Sequence, residues 1–168
     1  MSLSKALRPI ALAGILALST ALGACSFAPV YSSGTLASQP LLNSAFAKPN
    51  TRLEQVVYQE LSLRFGHSEA SNAPMAQVFV SSSAADTMLS QTANPEKPVE
   101  VTATATLTIT YRDGSGKPPI KLTRFATAGY TRSDRVLADR EAAREAAERA
   151  AKAAAESLRS GLLAALSR

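Results

Sequence analysis

The chain has one cysteine, one histidine and no tryptophan, and aromatic residues make up only 5% of its 168 positions. A single Cys excludes an internal disulfide framework. A lone imidazole, His67, leaves no second His for a metal cluster and no Gly-x-Ser-x-Gly elbow to serve as nucleophile. No carboxylate or thiol is spaced to join His67 in a site, so it reads as an exposed loop residue. A hydrolase is therefore disfavoured, and neither a cofactor nor a metal is expected. Charge is also scarce, at 18% of residues, and the net value of +5 includes Lys5 and Arg8 in a segment expected to be removed. The mildly basic remainder gives no reason to expect nucleic acid as a partner.

What is present begins with a secretory pattern. Met1 to Pro9 carries Lys5 and Arg8, and Ile10 to Ala24 is an uncharged stretch rich in Leu, Ala and Ile. That stretch is shorter than the roughly 20 residues of a bilayer span, so residues 1–24 read as a signal peptide. It ends Leu22-Gly23-Ala24-Cys25, which resembles the bacterial lipobox. The small residues admit a signal peptidase, and the thiol of Cys25 then receives lipid, palmitate included. A leftover thiol is the bland alternative, although no other Cys exists to pair with it. Ser26 rather than Asp follows, which favours sorting to the outer membrane, with the mature chain on the periplasmic side. Several acyl chains at about 0.8 kcal/mol per buried methylene would make the attachment effectively permanent.

Residues 25–50 are rich in Ser, Ala and Pro and read as a tether, with a short strand possible within Leu41 to Ala47. A folded domain is expected over residues 51–168. Thr51 and Glu54 have capping-box spacing, and Leu53, Val56, Val57 and Leu61 recur on one face, predicting a helix over Arg52 to Phe65 closed by a left-handed Gly66. Ala76, Val78, Val80 and Ala84 alternate with polar residues as in a half-buried strand. After Pro95 and Pro98 comes the strongest pattern, in which Val99, Val101, Ala103, Ala105, Leu107, Ile109 and Tyr111 alternate with Glu100, Thr102, Thr104, Thr106, Thr108, Thr110 and Arg112. This is a long strand with one apolar and one polar face.

Asp113-Gly114-Ser115-Gly116 supplies turn chemistry, and Ile120, Leu122, Ala126, Ala128 and Tyr130 return antiparallel. Arg124 and Phe125 interrupt that run, which predicts either a bulge or an inward-leaning Arg. From Arg135 to Leu166 there is no Pro and Ala dominates. The expected helix buries Ala143, Ala147, Ala150, Ala154, Leu158, Leu162 and Ala165, carries Glu145–Arg149 and Glu148–Lys152 pairs, and is capped by Ser133 or Asp134. The order predicts an α+β two-layer sandwich: a mainly antiparallel sheet of three to four strands with two helices on one face, the C-terminal one long.

Cys25-Ser26-Phe27-Ala28-Pro29-Val30-Tyr31, a helix carrying Arg52-Leu53 and ending at Arg64-Phe65-Gly66, three strands, and an Ala-rich closing helix introduced by Tyr130 to Ala138 together resemble the LPS-assembly lipoprotein family LptE. The alphaproteobacterial branch, with an Ala-x-x-Ala-Ala pattern like that of Ala143, Ala146 and Ala147, looks most similar. The resemblance implies a non-enzymatic protein that plugs the β-barrel LptD, assists its assembly, and helps deliver lipopolysaccharide to the cell surface. It also implies lipopolysaccharide contacts from basic residues in the loop between the second and third strands and around the start of the last helix: Lys97 within the Met88 to Pro98 loop, and Arg132, Arg135 and Arg140 at the helix.

Two features carry double readings. Thr102, Thr104, Thr106 and Thr108, extended by Thr123, Thr127 and Thr131, are either ordinary exposed strand residues or a flat uncharged surface suited to the polar inner wall of a barrel. Arg132 and Arg135 are either a solvated turn or, beside a helix N-terminus, a phosphate site. A second functional class also fits the composition, a lipid-binding auxiliary lipoprotein of an ABC-type transport system.

Overall fold

A computed structural model describes residues 40–87, 96–133 and 135–166. Cys25, Ser26, most of the Met88 to Pro98 loop and Asp134 lie outside the described residues. A 3-10 turn at Pro40–Leu42 leads into β1 (Asn43–Phe46), α1 (Arg52–Ser62), β2 (Gly66–His67), β3 (Met75–Asp86), β4 (Lys97–Thr110), β5 (Ile120–Arg132) and α2 (Val136–Leu166). The five strands form one sheet in the order β2-β1-β3-β4-β5. The fold is α+β as expected, but the sheet is mixed and larger than three to four mainly antiparallel strands: β1 runs parallel to both β2 and β3. These additions are short and rich in Asn, Ser and Gly, so they carry almost no alternation to be read.

The capping box at α1 forms as its spacing predicts. Thr51 Oγ1 accepts from the Glu54 N–H at 3.2 Å, while Glu54 Oε2 accepts from the N–H groups of Asn50 and Thr51 at 2.7 and 3.1 Å. Those bonds satisfy a carboxylate that is otherwise buried. The far end of the helix departs from expectation. α1 stops at Ser62 with Leu63 in right-handed geometry, and Gly66, which has no positive φ, belongs to β2 instead. A Cβ there would sit 2.7 Å from Asn43 Oδ1, so close strand approach rather than helix termination explains the glycine. His67 follows it, exposed as expected but within this short strand.

β3, β4 and β5 pair without interruption. β4 begins at Lys97 and so includes Pro98, one residue from its end, where a missing N–H costs least. Its odd-numbered residues Val99 to Ile109 are buried, and Ala103, Ala105, Leu107 and Ile109 meet Val56, Val57 and Leu61 of α1 and Ala150 to Leu162 of α2 in one core. Phe46 sets its ring edge-on to Tyr58 at 5.2 Å, seating β1 on α1. The turn before β5 uses Gly114 and Gly116 at φ of +74° and +64°, conformations that suit glycine. The Ser115 hydroxyl first, and its N–H at 3.0 Å from Asp113 Oδ1 second, hold the Asp113 carboxyl below its ordinary value.

No bulge occurs at Arg124. It pairs with Ala105 in unbroken register, so the inward-leaning alternative holds and Phe125 falls on the opposite face.

α2 spans 31 residues, about 46 Å at 1.5 Å per residue. It buries Ala146, Ala150, Ala151, Ala154, Ala155, Leu158 and Leu162. Ala143 and Ala147 are only partly covered and Ala165 is exposed, because a helix with Ala on every side does not announce its phase. Ser133 does not act as a simple cap: its N–H and hydroxyl both donate to Asp139 Oδ1, at 2.9 and 3.2 Å, while the Arg135 carbonyl accepts the first helical bond. Glu145 pairs with Arg149 at 2.8 Å as expected. Arg149 also donates to the Gly129 carbonyl at 2.8 Å, covering part of the β5 edge.

Glu148 departs from the expected Lys152 pair and reaches Arg52 of α1 at 3.0 Å, with Arg144 at 3.6 Å. The hydrogen bond from Arg52 is the main reason its carboxyl titrates below the ordinary value. A folded-state value below the unfolded one contributes stability above the unfolded value, and that contribution is lost as pH falls through the folded one. Acid titration of unfolding should therefore show a component in the carboxylate range that Glu148→Gln lacks. Identical pH profiles for both proteins would rule out this tie between the helices.

Candidate functional site

The register places one complete face of β3, β4 and β5 opposite the helices. Across it run the rows Gln77–Thr108–Lys121, Phe79–Thr106–Thr123, Ser81–Thr104–Phe125 and Ser83–Thr102–Thr127. The expected Thr residues therefore share one surface, joined in places by side-chain bonds such as Thr106 Oγ1 to Thr123 Oγ1 at 3.0 Å. Neither α1 nor α2 covers it. No acid or base occupies its central rows, so an approaching polar wall would meet hydroxyls without having to strip water from a charge.

Two phenyl rings stand out of this face, Phe79 at 62% and Phe125 at 70% exposure. Sequence reading missed both as surface features. Phe79 lies at a polar position of the β3 alternation, which was the available signal. Large aromatics exposed on an otherwise polar sheet are typical anchors of protein interfaces.

The second region lies where β5 meets α2. Lys97 is exposed and sits directly opposite Arg132 in the ladder. Such like charges repel, and Asp86 relieves them by pairing with Arg132 at 3.0 Å. Arg135 and Arg140 are exposed and form no ion pair among the described residues. The structure thus brings Lys97 and Arg132 together, engages Arg132 with an acid, and leaves Arg135 and Arg140 open at the start of the helix. Between those two lie Val136 and Leu137, exposed at 63% and 78%, which give the tip an apolar character that the charge pattern did not indicate.

Among the described residues no helix is long and apolar enough to cross a membrane. The sequence matches the family described as LptE, lipopolysaccharide-assembly, over residues 40–162, from the first described turn to the last turns of α2. The chain belongs to the LptE family. Its role is thus lipopolysaccharide assembly and not catalysis.

No curated protein matches the chain in sequence. Among solved structures it is similar in fold to the rare lipoprotein B of Shewanella oneidensis, with a TM-score of 0.55 and 15% identity over 73% of this chain and 93% of that one. A minor lipoprotein of Acinetobacter baumannii matches at TM-score 0.53 and 15% identity, over 75% and 95% of the two chains. A lipoprotein of Caulobacter crescentus matches at 0.51 and 17%, over 76% and 93%. At such identities these likenesses concern the fold alone, and they agree on a helix-backed sheet.

Proposed function

We propose that this LptE-family chain is an outer-membrane lipoprotein, freed of residues 1–24 and lipidated at Cys25, that docks its Ser/Thr sheet face against the inner wall of the LptD β-barrel. In that position it supports barrel assembly and assists delivery of lipopolysaccharide to the cell surface. The observation that carries this reading is the open face built from the rows of Thr102, Thr104, Thr106 and Thr108, uncharged in its central rows, with the core entirely on its other side. Barrel interiors are polar, so a surface of hydroxyls can exchange hydrogen bonds there without burying an unpaired charge.

The deciding experiment isolates the protein from outer membranes in mild detergent, with palmitate labelling in parallel. A large β-barrel should accompany it in one-to-one ratio, and Cys25→Ala should lose the label. Recovery of inner-membrane transporter subunits instead would favour the auxiliary-lipoprotein reading and overturn this one.

Lipopolysaccharide contact is assigned to the cationic tip. Arg135 and Arg140 match phosphate oxygens, Lys97 and the half-neutralised Arg132 reinforce them, and Val136 and Leu137 offer apolar surface to acyl chains. Arg135→Ala with Arg140→Ala should weaken lipopolysaccharide binding about tenfold or more at low salt. The wild-type affinity should itself fall as salt shortens the screening length from about 10 Å at 0.1 M to about 3 Å at 1 M. Affinity unchanged in the double variant would remove the tip from consideration.

A further inference from the structure

Arg124 stands mid-strand on the helix side of the sheet, roughly 26 Å from Arg132 at about 3.3 Å per residue, and so apart from the cationic tip. It points toward α2, yet it remains exposed. Its guanidinium lies over Gly161, the one glycine in α2: a Cβ there would come within 2.9 Å of Nη2 and 3.3 Å of Cζ. Glycine is a poor helix residue, second only to proline in its cost. The helix therefore gives up propensity at the point where the guanidinium rests.

A guanidinium that only tied β5 to α2 would find an acceptor on the helix. Among the described residues its one side-chain hydrogen bond is instead from Nη1 to the neighbouring Thr123 carbonyl, at 2.8 Å. Among the described residues Arg124 forms no ion pair. Glu156 lines the same groove, but its two oxygens are taken by Arg64 at 3.3 Å and Arg159 at 3.1 Å. Two guanidinium groups therefore share this carboxylate, and Arg124, which lines the same groove, pairs with neither of its oxygens. The groove measures about 420 Å³ and is bounded by Arg124, Glu156, Ser157, Ser160 and Gly161. Ser160 gives its hydroxyl proton to the Glu156 carbonyl at 3.0 Å, whereas Ser157 adds a second hydroxyl to the wall.

We propose that this groove is a binding site for a phosphate group, with Arg124 as the forked donor and the Ser157 hydroxyl as its companion. Excess positive charge, unused N–H donors with planar spacing and a glycine that seats the guanidinium against the helix together fit a tetrahedral oxyanion. The phosphate can be free or carried on a glycolipid headgroup, and the chemistry of recognition is the same.

The test follows the arginine Nε–Hε NMR signals of the full chain in neutral detergent, on an Arg135→Ala/Arg140→Ala background that silences the tip. Arg124 is assigned as the signal missing from Arg124→Gln. Inorganic phosphate should shift that signal saturably, and Ser157→Ala should weaken the response several-fold. Gly161→Ala should weaken it about tenfold by displacing the guanidinium, while the helix, gaining a better helix former, stays folded. A phosphorylated glycolipid that reproduces the shift, when its dephosphorylated twin does not, identifies a headgroup site. A response to inorganic phosphate alone identifies a site for the free ion. No shift with either, or a response equally strong in Ser157→Ala and Gly161→Ala, overturns the proposal, and neither result bears on whether the Thr face meets a barrel.

Discussion

Leu158→Ala should destabilise the domain by about 2–5 kcal/mol, toward the upper end of that range. α2 buries seven side chains, of which five are Ala and only Leu158 and Leu162 are large. Leu158 is fully covered, in the core cluster with α1 residues Val57 and Leu61 and β4 residues Ala105 and Leu107. Deleting its branched end removes apolar surface from the core and leaves a void. The cost of the void depends on whether neighbours collapse into it, and the buried helix residues one turn before it, Ala154 and Ala155, have no rotamers to offer. In a domain of this size the midpoint should fall by about 10 °C or more, read by circular dichroism on heating. Leu158→Met, which nearly conserves volume, should cost less than about 1.5 kcal/mol. Equal midpoints for wild type and Leu158→Ala would show that α2 is not held to the sheet through this side chain.

The same scarcity of large side chains explains what could and could not be read from sequence. β4 was legible because Val, Leu and Ile alternate with Thr over most of its length, and one register then carries β3 and β5 with it. The start of α1 was legible because a cap is a local event between Thr51 and Glu54. The phase of α2 was not, since Ala at Ala143, Ala147 and Ala165 is as good a helix former in solvent as in the core. β1 falls within Leu41 to Ala47, where a short strand was expected, but its parallel pairing and the whole of β2 were obscured for a different reason: they are defined by pairing between segments distant in sequence, and two to four residues hold no period.

The candidate site divides along similar lines. The Thr rows follow from alternation, so the face was visible before its partners on β3 and β5 were. Phe79 went unremarked and Phe125 stood only as an interruption of its run, because an apolar residue in a strand suggests a core, and only the register shows them on the outer side. At the tip, composition counted Arg132 with Arg135 and Arg140 as equals. Asp86 distinguishes it from them, from a position 46 residues away in sequence. Long-range ion pairs of this kind, like Arg52 with Glu148 across the two helices, leave no spacing to recognise.

Thr104→Lys together with Thr106→Lys should abolish capture of the barrel while leaving the domain folded. Both residues lie at the centre of the open face, Thr106 in the row that carries Phe79 and Thr104 in the row that carries Phe125, and neither contributes to the core. In the free protein each ammonium can extend on its flexible stem into water, and the main loss is the exposed Thr106–Thr123 hydroxyl bond, about 1 kcal/mol at most. In the complex the same two charges would be pressed against a wall shaped for hydroxyls, and each unpaired charge withdrawn from water costs several kcal/mol. The combined penalty is far more than a hundredfold in affinity, so co-isolation from detergent-solubilised outer membranes should fail. Thr104→Ser with Thr106→Ser keeps the hydroxyls and should preserve it, whereas Phe79→Ala with Phe125→Ala, by removing the two aromatic anchors, should weaken it without adding charge. A normal yield of complex from the double Lys variant, with a thermal midpoint close to wild type, would exclude this face as the docking surface.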